Sequence, residues 1–216
     1  LVAGAAALVY ILLPGHPLLG DANLAVTVNH VVQEPTLEKI FTLDFWGFPL
    51  DASYGTRSYR PLVTLTYVVQ AHAGPLVEWL SGIARVLHLT DLLLHAGMAV
   101  LVALLAALLM PGSRWSPAAG FLFAVHPLAT EAVCSIVGRA DMLAAGFMLL
   151  ALIVHLRASW SRWPWVLEGV VALCVGAAML CKEYAVAFPF ILVAVDAARL
   201  WNGSLYGKRR QAAMLA

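Results

Sequence analysis

Residues 92–110 read Leu-Leu-Leu-His-Ala-Gly-Met-Ala-Val-Leu-Val-Ala-Leu-Leu-Ala-Ala-Leu-Leu-Met, 19 positions with one histidine and no formal charge. A helix needs roughly 20 predominantly apolar residues to cross the ~30 Å hydrocarbon core of a bilayer. The rest of the chain is of the same kind: of 216 residues, 62% are hydrophobic and only 12% are charged. A soluble domain is about half apolar and about a quarter charged, so these charges are too few to cover such a core in water. The reading is an all-α, polytopic membrane protein, whose backbone polar groups are satisfied inside helices.

Working outward, further spans are expected over 115–137, 141–157, 165–180 and 184–200, and residues 1–13 form the end of another. That makes about six transmembrane helices and leaves 14–91 as a long first loop. Within it, apolar positions 37, 40, 41, 43, 45 and 46 alternate with charges, which suggests a short amphipathic helix lying in the interface. Residues 58–70 read as a second, entered through Arg60-Pro61, since proline suits a first helical turn. Phe41, Phe45, Trp46, Phe48, Tyr54, Tyr59, Tyr67 and Trp79 fit an interfacial aromatic belt. The chain begins inside an apolar run with neither Met nor a basic leader, and ends in a basic stretch followed by Ala-Ala-Met-Leu-Ala, so it reads as the N-terminal part of something longer. A cleaved signal peptide over 1–13 would lack its charged leading region.

The net charge is +1, and its distribution says more than its sum. If the spans alternate, Arg114, then Arg157 and Arg162, then Arg199, Lys208, Arg209 and Arg210 share one side, with Glu168 and Asp196 the nearby acids. Basic loops mark the cytoplasmic face. The long loop, the turn at 138–141 and the turn at 181–184 fall on the opposite side, where charges of both signs meet. The chemistry is therefore expected on the non-cytoplasmic face, in a eukaryote the lumen of the endoplasmic reticulum.

Several residues there could carry it. Asp21 follows the first span at once; it is either a solvated helix-end residue or a general base for an acceptor hydroxyl. His126-Pro127 and Glu131 lie within an apolar span, where the proline should kink the helix. Ionisable groups at that depth normally face a partner or a wet cavity. Arg139 and Asp141 are either a surface ion pair or, for the arginine, a phosphate clamp. Lys182-Glu183 repeats the theme, and Arg60 supplies a third cation. His88, Asp91 and His95 share one helical face; a polar stripe towards a cavity is favoured over a metal site. Cys134, Cys174 and Cys181 are odd in number, lack metal-type spacing and read as small hydrophobes. No Gly-rich phosphate loop, Ser-His-Asp set or heavily basic stripe is present, so nucleic acid is not an expected partner. From the residues alone a transporter, with His126 and Glu131 on a proton or solute path, and a non-catalytic membrane scaffold both stay open.

Residues 123–143, Phe-Ala-Val-His-Pro-Leu-Ala-Thr-Glu-Ala-Val-Cys-Ser-Ile-Val-Gly-Arg-Ala-Asp-Met-Leu, resemble the signature of the transmembrane O-mannosyltransferases that target cadherins. Asp44-Phe-Trp-Gly, Ser58-Tyr-Arg-Pro-Leu and Cys181-Lys-Glu match in the same order. The resemblance implies a GT-C type, multi-pass enzyme of the endoplasmic reticulum membrane, continuing into tetratricopeptide repeats absent here. Such an enzyme transfers mannose from dolichyl-phosphate mannose to Ser or Thr of secretory-pathway proteins such as cadherin-like domains, with inversion and without a metal or resident cofactor. It implies that Asp21 is the catalytic carboxylate, the first of an Asp-Asp pair whose second position is Ala22 here. Arg60, Arg139, Asp141, Lys182, Glu183, His126 and Glu131 would line the substrate site. A further departure is Tyr184-Ala185, where relatives tend to follow Lys-Glu with Gln-Gly.

Overall fold

A computed structural model describes residues 1–201; the tail carrying Lys208, Arg209 and Arg210 lies outside the described residues. Its helices are α1 (Val2–Val9), α2 (His30–Gln33), α3 (Leu37–Thr42), α4 (Pro61–Ala71), α5 (Gly74–Trp79), α6 (Ile83–Leu109), α7 (Ser116–Val125), α8 (Ala129–Cys134), α9 (Arg139–Ala158), α10 (Pro164–Met179) and α11 (Phe188–Trp201). Among the described residues the only pairing of extended chain is one isolated antiparallel bridge, Leu43 to Pro49. Proline occupies the first turn of α4, α5, α7 and α10. Its missing N–H costs nothing there, because the first-turn donors have no helical partner.

Three stretches are long and apolar enough to cross a membrane: Ile83–Leu109, Ile136–Ala158 and Glu183–Trp201. The expected spans at the N-terminus, at 115–137 and at 165–180 correspond to shorter apolar helices. The sharpest difference is at 115–137. Instead of a kinked helix, the chain breaks: α7 ends at Val125, His126 is extended at φ −71° and ψ 128°, and α8 starts at Ala129. The residue before a proline is pushed out of helical geometry, and Pro127 has no N–H to continue the ladder. α6 in turn starts at Ile83, so His88, Asp91 and His95 belong to a continuous helix and the first loop is shorter than expected.

The packing gives the bundle two chemically different ends. α9 and α10 form an antiparallel hairpin pinned by Lys182–Asp141 at 3.1 Å and by His155–Glu168 at 3.0 Å. Those pins are 14 residues apart along α9, about 21 Å at 1.5 Å per residue. Between them residues 142–154 carry no polar side chain. Asp196 of α11 also reaches His155 at 3.2 Å, and Arg199 pairs with Asp196. α6 and α7 approach closely at Gly120, where an added Cβ would stand 2.5 Å from the Ala99 carbonyl oxygen. Leu93, Leu173, Phe190 and Val193 are largely exposed on the outside of the helices, a surface suited to lipid.

The loop elements cap one end. Thr36 Oγ1 accepts from the Lys39 N–H and starts α3, and Pro61 starts α4. Asp44 is buried, and its Oδ1 accepts from the Trp46 and Phe48 N–H groups at 2.9 and 2.8 Å. Gly47 completes this turn at φ +89°, where a Cβ would meet Asn29 Oδ1 at 2.9 Å. The Phe45 N–H donates to the Ser58 carbonyl at 2.7 Å, which ties the Asp44 turn to the segment leading into α4. Two of the sequence motifs are therefore the clasp that folds the loop over the helix ends. Phe45, Val63, Tyr67, Leu87, Ile136 and Ala140 form one core beneath it.

Candidate functional site

Two adjoining cavities open at this capped end. One, of about 430 Å3, is lined by Asp21, Leu128, Glu131, Ala132, Ser135, Val137, Gly138, Asp141 and Lys182. The other, of about 620 Å3, is lined by residues 13 and 16–22, and by His88, Cys134, Ser135 and Ile136. Asp21 and Ser135 border both.

Each wall has a local cause. Asp21 sits after Gly20, which turns the chain at φ +53°, and just before one π-helical turn at Asn23–Thr27. Its carboxylate is exposed, while Ala22 beside it is buried among Ala25, Val26 and Phe45. The break at Pro127 lets α8 fold back across the helix ends, carrying Glu131 and Ser135 to the cavity. Gly138 makes that close return possible, since a Cβ there would lie 2.5 Å from the Ala132 carbonyl oxygen. Lys182 Nζ donates to Asp141 Oδ2 at 3.1 Å, a pair that is partly exposed on both sides.

Of the residues singled out from sequence, the structure brings Asp21, Glu131, Asp141 and Lys182 into one cavity. Arg60 and Glu183 form a pair with each other at 3.3 Å beside it, with the Arg60 guanidinium over the Phe45 ring. His126 is exposed, and its Nδ1 accepts from the Leu128 N–H at 3.2 Å; it lines neither cavity.

Arg139 requires a correction. Residues 139–141 are the first turn of α9, not a surface turn, and two residues on a helix point about 200° apart. Asp141 faces the cavity and Arg139 faces inward, with no exposed surface. Its Nε donates to Asp91 Oδ1 at 2.6 Å, one terminal nitrogen to Thr66 Oγ1 at 3.2 Å and to Gln70, and the other to the Leu87 carbonyl at 2.9 Å. The Tyr67 ring packs against it at 4.8 Å, with the Tyr67 hydroxyl donating to the Ile136 carbonyl at 2.7 Å. Arg139 is a buried brace joining α4, α6 and α9, and it has no face left for a phosphate.

The histidine stripe on α6 separates by the same test. His95 is bonded to the Ala124 carbonyl at 3.0 Å and holds α7. His88 is buried, lines the larger cavity, and has no hydrogen-bond partner at either ring nitrogen among the described residues. Sequence reasoning also passed over His16 and Ser135 as cavity residues, and Thr66 and Gln70 as partners of Arg139. Among the described residues no group of three or more His, Cys, Asp or Glu is placed to hold a metal ion.

Fold and cavities together define an all-α membrane protein with a charged pocket at one end of its helices. Comparison with known proteins narrows the class. The chain is 37% identical over 172 residues to protein O-mannosyl-transferase TMTC2 of Homo sapiens, covering 77% of this chain and 20% of the relative. It is 34% identical over 199 residues to Tmtc2 of Drosophila melanogaster, with 88% and 20% covered, and 32% identical over 192 residues to human TMTC4, with 78% and 25% covered. Over the aligned residues the chain belongs to this protein O-mannosyl-transferase family. It spans about a fifth of the length of the curated relatives it matches. No family model and no solved structure matches it.

Proposed function

We propose that this chain forms the donor-side part of a GT-C type membrane enzyme that transfers mannose from dolichyl-phosphate mannose to Ser or Thr hydroxyls of luminal proteins in the endoplasmic reticulum. The observation that carries the reading is the meeting of Asp21 with Lys182 in one polar cavity at the capped end of the helices. The names of the relatives, protein O-mannosyl-transferases, support it.

In this mechanism Asp21 takes the proton of the acceptor hydroxyl. The hydroxyl oxygen forms a bond to the sugar C1, the bond from C1 to the phosphate oxygen breaks, and dolichyl phosphate leaves with the electron pair. A single displacement of this kind, with the hydroxyl entering opposite the leaving phosphate, inverts the configuration at C1. Lys182 meets the phosphate, and Arg60 is the next cation available. Both are paired with carboxylates in the free protein, at 3.1 and 3.3 Å. Such partly exposed pairs are worth about 0–1 kcal/mol, so a phosphate can displace Asp141 or Glu183 at little cost. Glu131 and Ser135 are left to accept or donate hydrogen bonds to sugar hydroxyls. Arg139 and His126 take no part.

A transporter is not favoured. The polar groups gather at the two ends of α9, and residues 142–154 between them offer no polar stepping point.

The test is Asp21→Asn in the full-length protein, assayed for transfer from labelled dolichyl-phosphate mannose to an acceptor peptide. Turnover should fall by at least about 100-fold, as expected on losing a general base, with unchanged membrane expression. Wild-type turnover in the variant would remove Asp21 from its role.

A further inference from the structure

The larger cavity offers no Lys or Arg to a donor phosphate, yet its chemistry is specific. Its walls are largely apolar, from Leu13, Pro17, Leu18, Leu19 and Ile136. Into this wall comes His88, only 3% exposed, with neither Nδ1 nor Nε2 bonded among the described residues. A buried imidazole without a partner is costly unless a ligand supplies one. The neutral ring has one N–H donor and one acceptor nitrogen, and an extended polypeptide offers a carbonyl and an N–H in return. A sugar phosphate fits this chamber poorly, because the basic side chains that line it are the imidazoles of His16 and His88 rather than a Lys or Arg, and Asp21 stands at its rim. The smaller cavity, with Lys182, Glu131, Asp141 and Ser135, suits that ligand better.

We infer that the larger cavity is the acceptor chamber, that it takes an uncharged, hydroxyl-bearing polypeptide segment with small or apolar neighbours, and that His88 is the hydrogen-bonding side chain that seats it. This rests on the transferase reading above. Asp21 borders both chambers, so its carboxylate can take the proton of a hydroxyl presented from the larger one to a sugar carbon held in the smaller. Ser135, which borders both chambers, stands beside the crossing point.

The experiment measures steady-state transfer by full-length wild type, His88→Phe and His88→Gln. Labelled dolichyl-phosphate mannose and a neutral Ser/Thr-containing peptide are varied in turn. Losing one neutral hydrogen bond should raise the KM for the peptide roughly five- to tenfold in His88→Phe, with the KM for the donor as in wild type. His88→Gln, which keeps a donor and an acceptor, should recover part of the difference, and this separates seating of the acceptor from a packing defect. A rise in donor KM with peptide KM unchanged would overturn the assignment, as would unchanged values for both in His88→Phe. If wild type neither binds nor turns over the donor, the transferase reading itself fails and this assignment falls with it. An intact wild type with an indifferent His88→Phe sinks the acceptor chamber alone.

Discussion

Arg139 shows how much a single side chain can mislead before its neighbours are known. An arginine two residues from an aspartate, after a glycine, has the look of an exposed anion clamp. Nothing in the sequence says that residue 139 opens a helix, and a helix turns the two side chains to opposite walls. Asp91 was legible only as part of a polar stripe, and Thr66 and Gln70 had no signal, because the partners are 48, 73 and 69 residues from Arg139 in the chain. Breaking one partner of a buried ion pair is far more damaging than the pair's net worth, since it strands a desolvated charge. Asp91→Ala should therefore destabilise the folded protein by roughly 3–5 kcal/mol, read as a large fall in the unfolding midpoint in detergent. Arg139→Lys should also destabilise, because an ammonium cannot replace the fork that reaches Asp91, Thr66, Gln70 and Leu87 together. A near-normal midpoint in either variant would contradict the brace. By contrast the placing of Asp21 and Lys182 at one end of the helices was legible, since each follows an apolar run and the alternation of spans put both on the same side.

At the scale of elements, α3 and α4 could be read because their starts carry chemistry: a capping threonine at 36 and a proline at 61. The segment 115–137 was harder. Its composition asks for a span, while Pro127 asks for an end, and hydropathy alone does not weigh the two. The structure resolves this with α8, a short helix laid over the bundle end, and Gly138 is the hinge of that arrangement. Gly138→Ala would press a methyl against the Ala132 carbonyl, a backbone atom with little room to give. Strain of this kind costs typically about 1–3 kcal/mol. The expected outcome is a lower unfolding midpoint together with a loss of transfer larger than the stability change explains, because Glu131 and Ser135 move with α8. If activity and midpoint both match wild type, α8 is not held by that contact.

At the scale of the whole molecule, the fold class and the segregation of charge were present in composition and spacing, and the number of helices long enough to span was not. Crossing length depends on where helices begin and break, and prolines at 61, 117, 127 and 164 set those limits. The cysteines give a probe of the resulting arrangement. Cys134 is exposed at the cavity end, while Cys181 is wholly buried and its thiol is pushed up to about 12 by burial. The thiolate is the reactive form. In sealed microsomes at neutral pH a membrane-impermeant maleimide should leave Cys134 unmodified until the membrane is opened, and should leave Cys181 unmodified throughout. Labelling of Cys134 from the cytosolic side of intact vesicles would reverse the proposed orientation.

The hairpin of α9 and α10 sets a further condition on its surroundings. Its two ionic pins are separated by about 21 Å, whereas an ordinary hydrocarbon core is ~30 Å thick. Lipid tails at full height beside it would bury one pin in hydrocarbon, so the expected outcome is a thinned annulus around this hairpin, with headgroups and water drawn towards the cavity that holds Asp141 and Lys182.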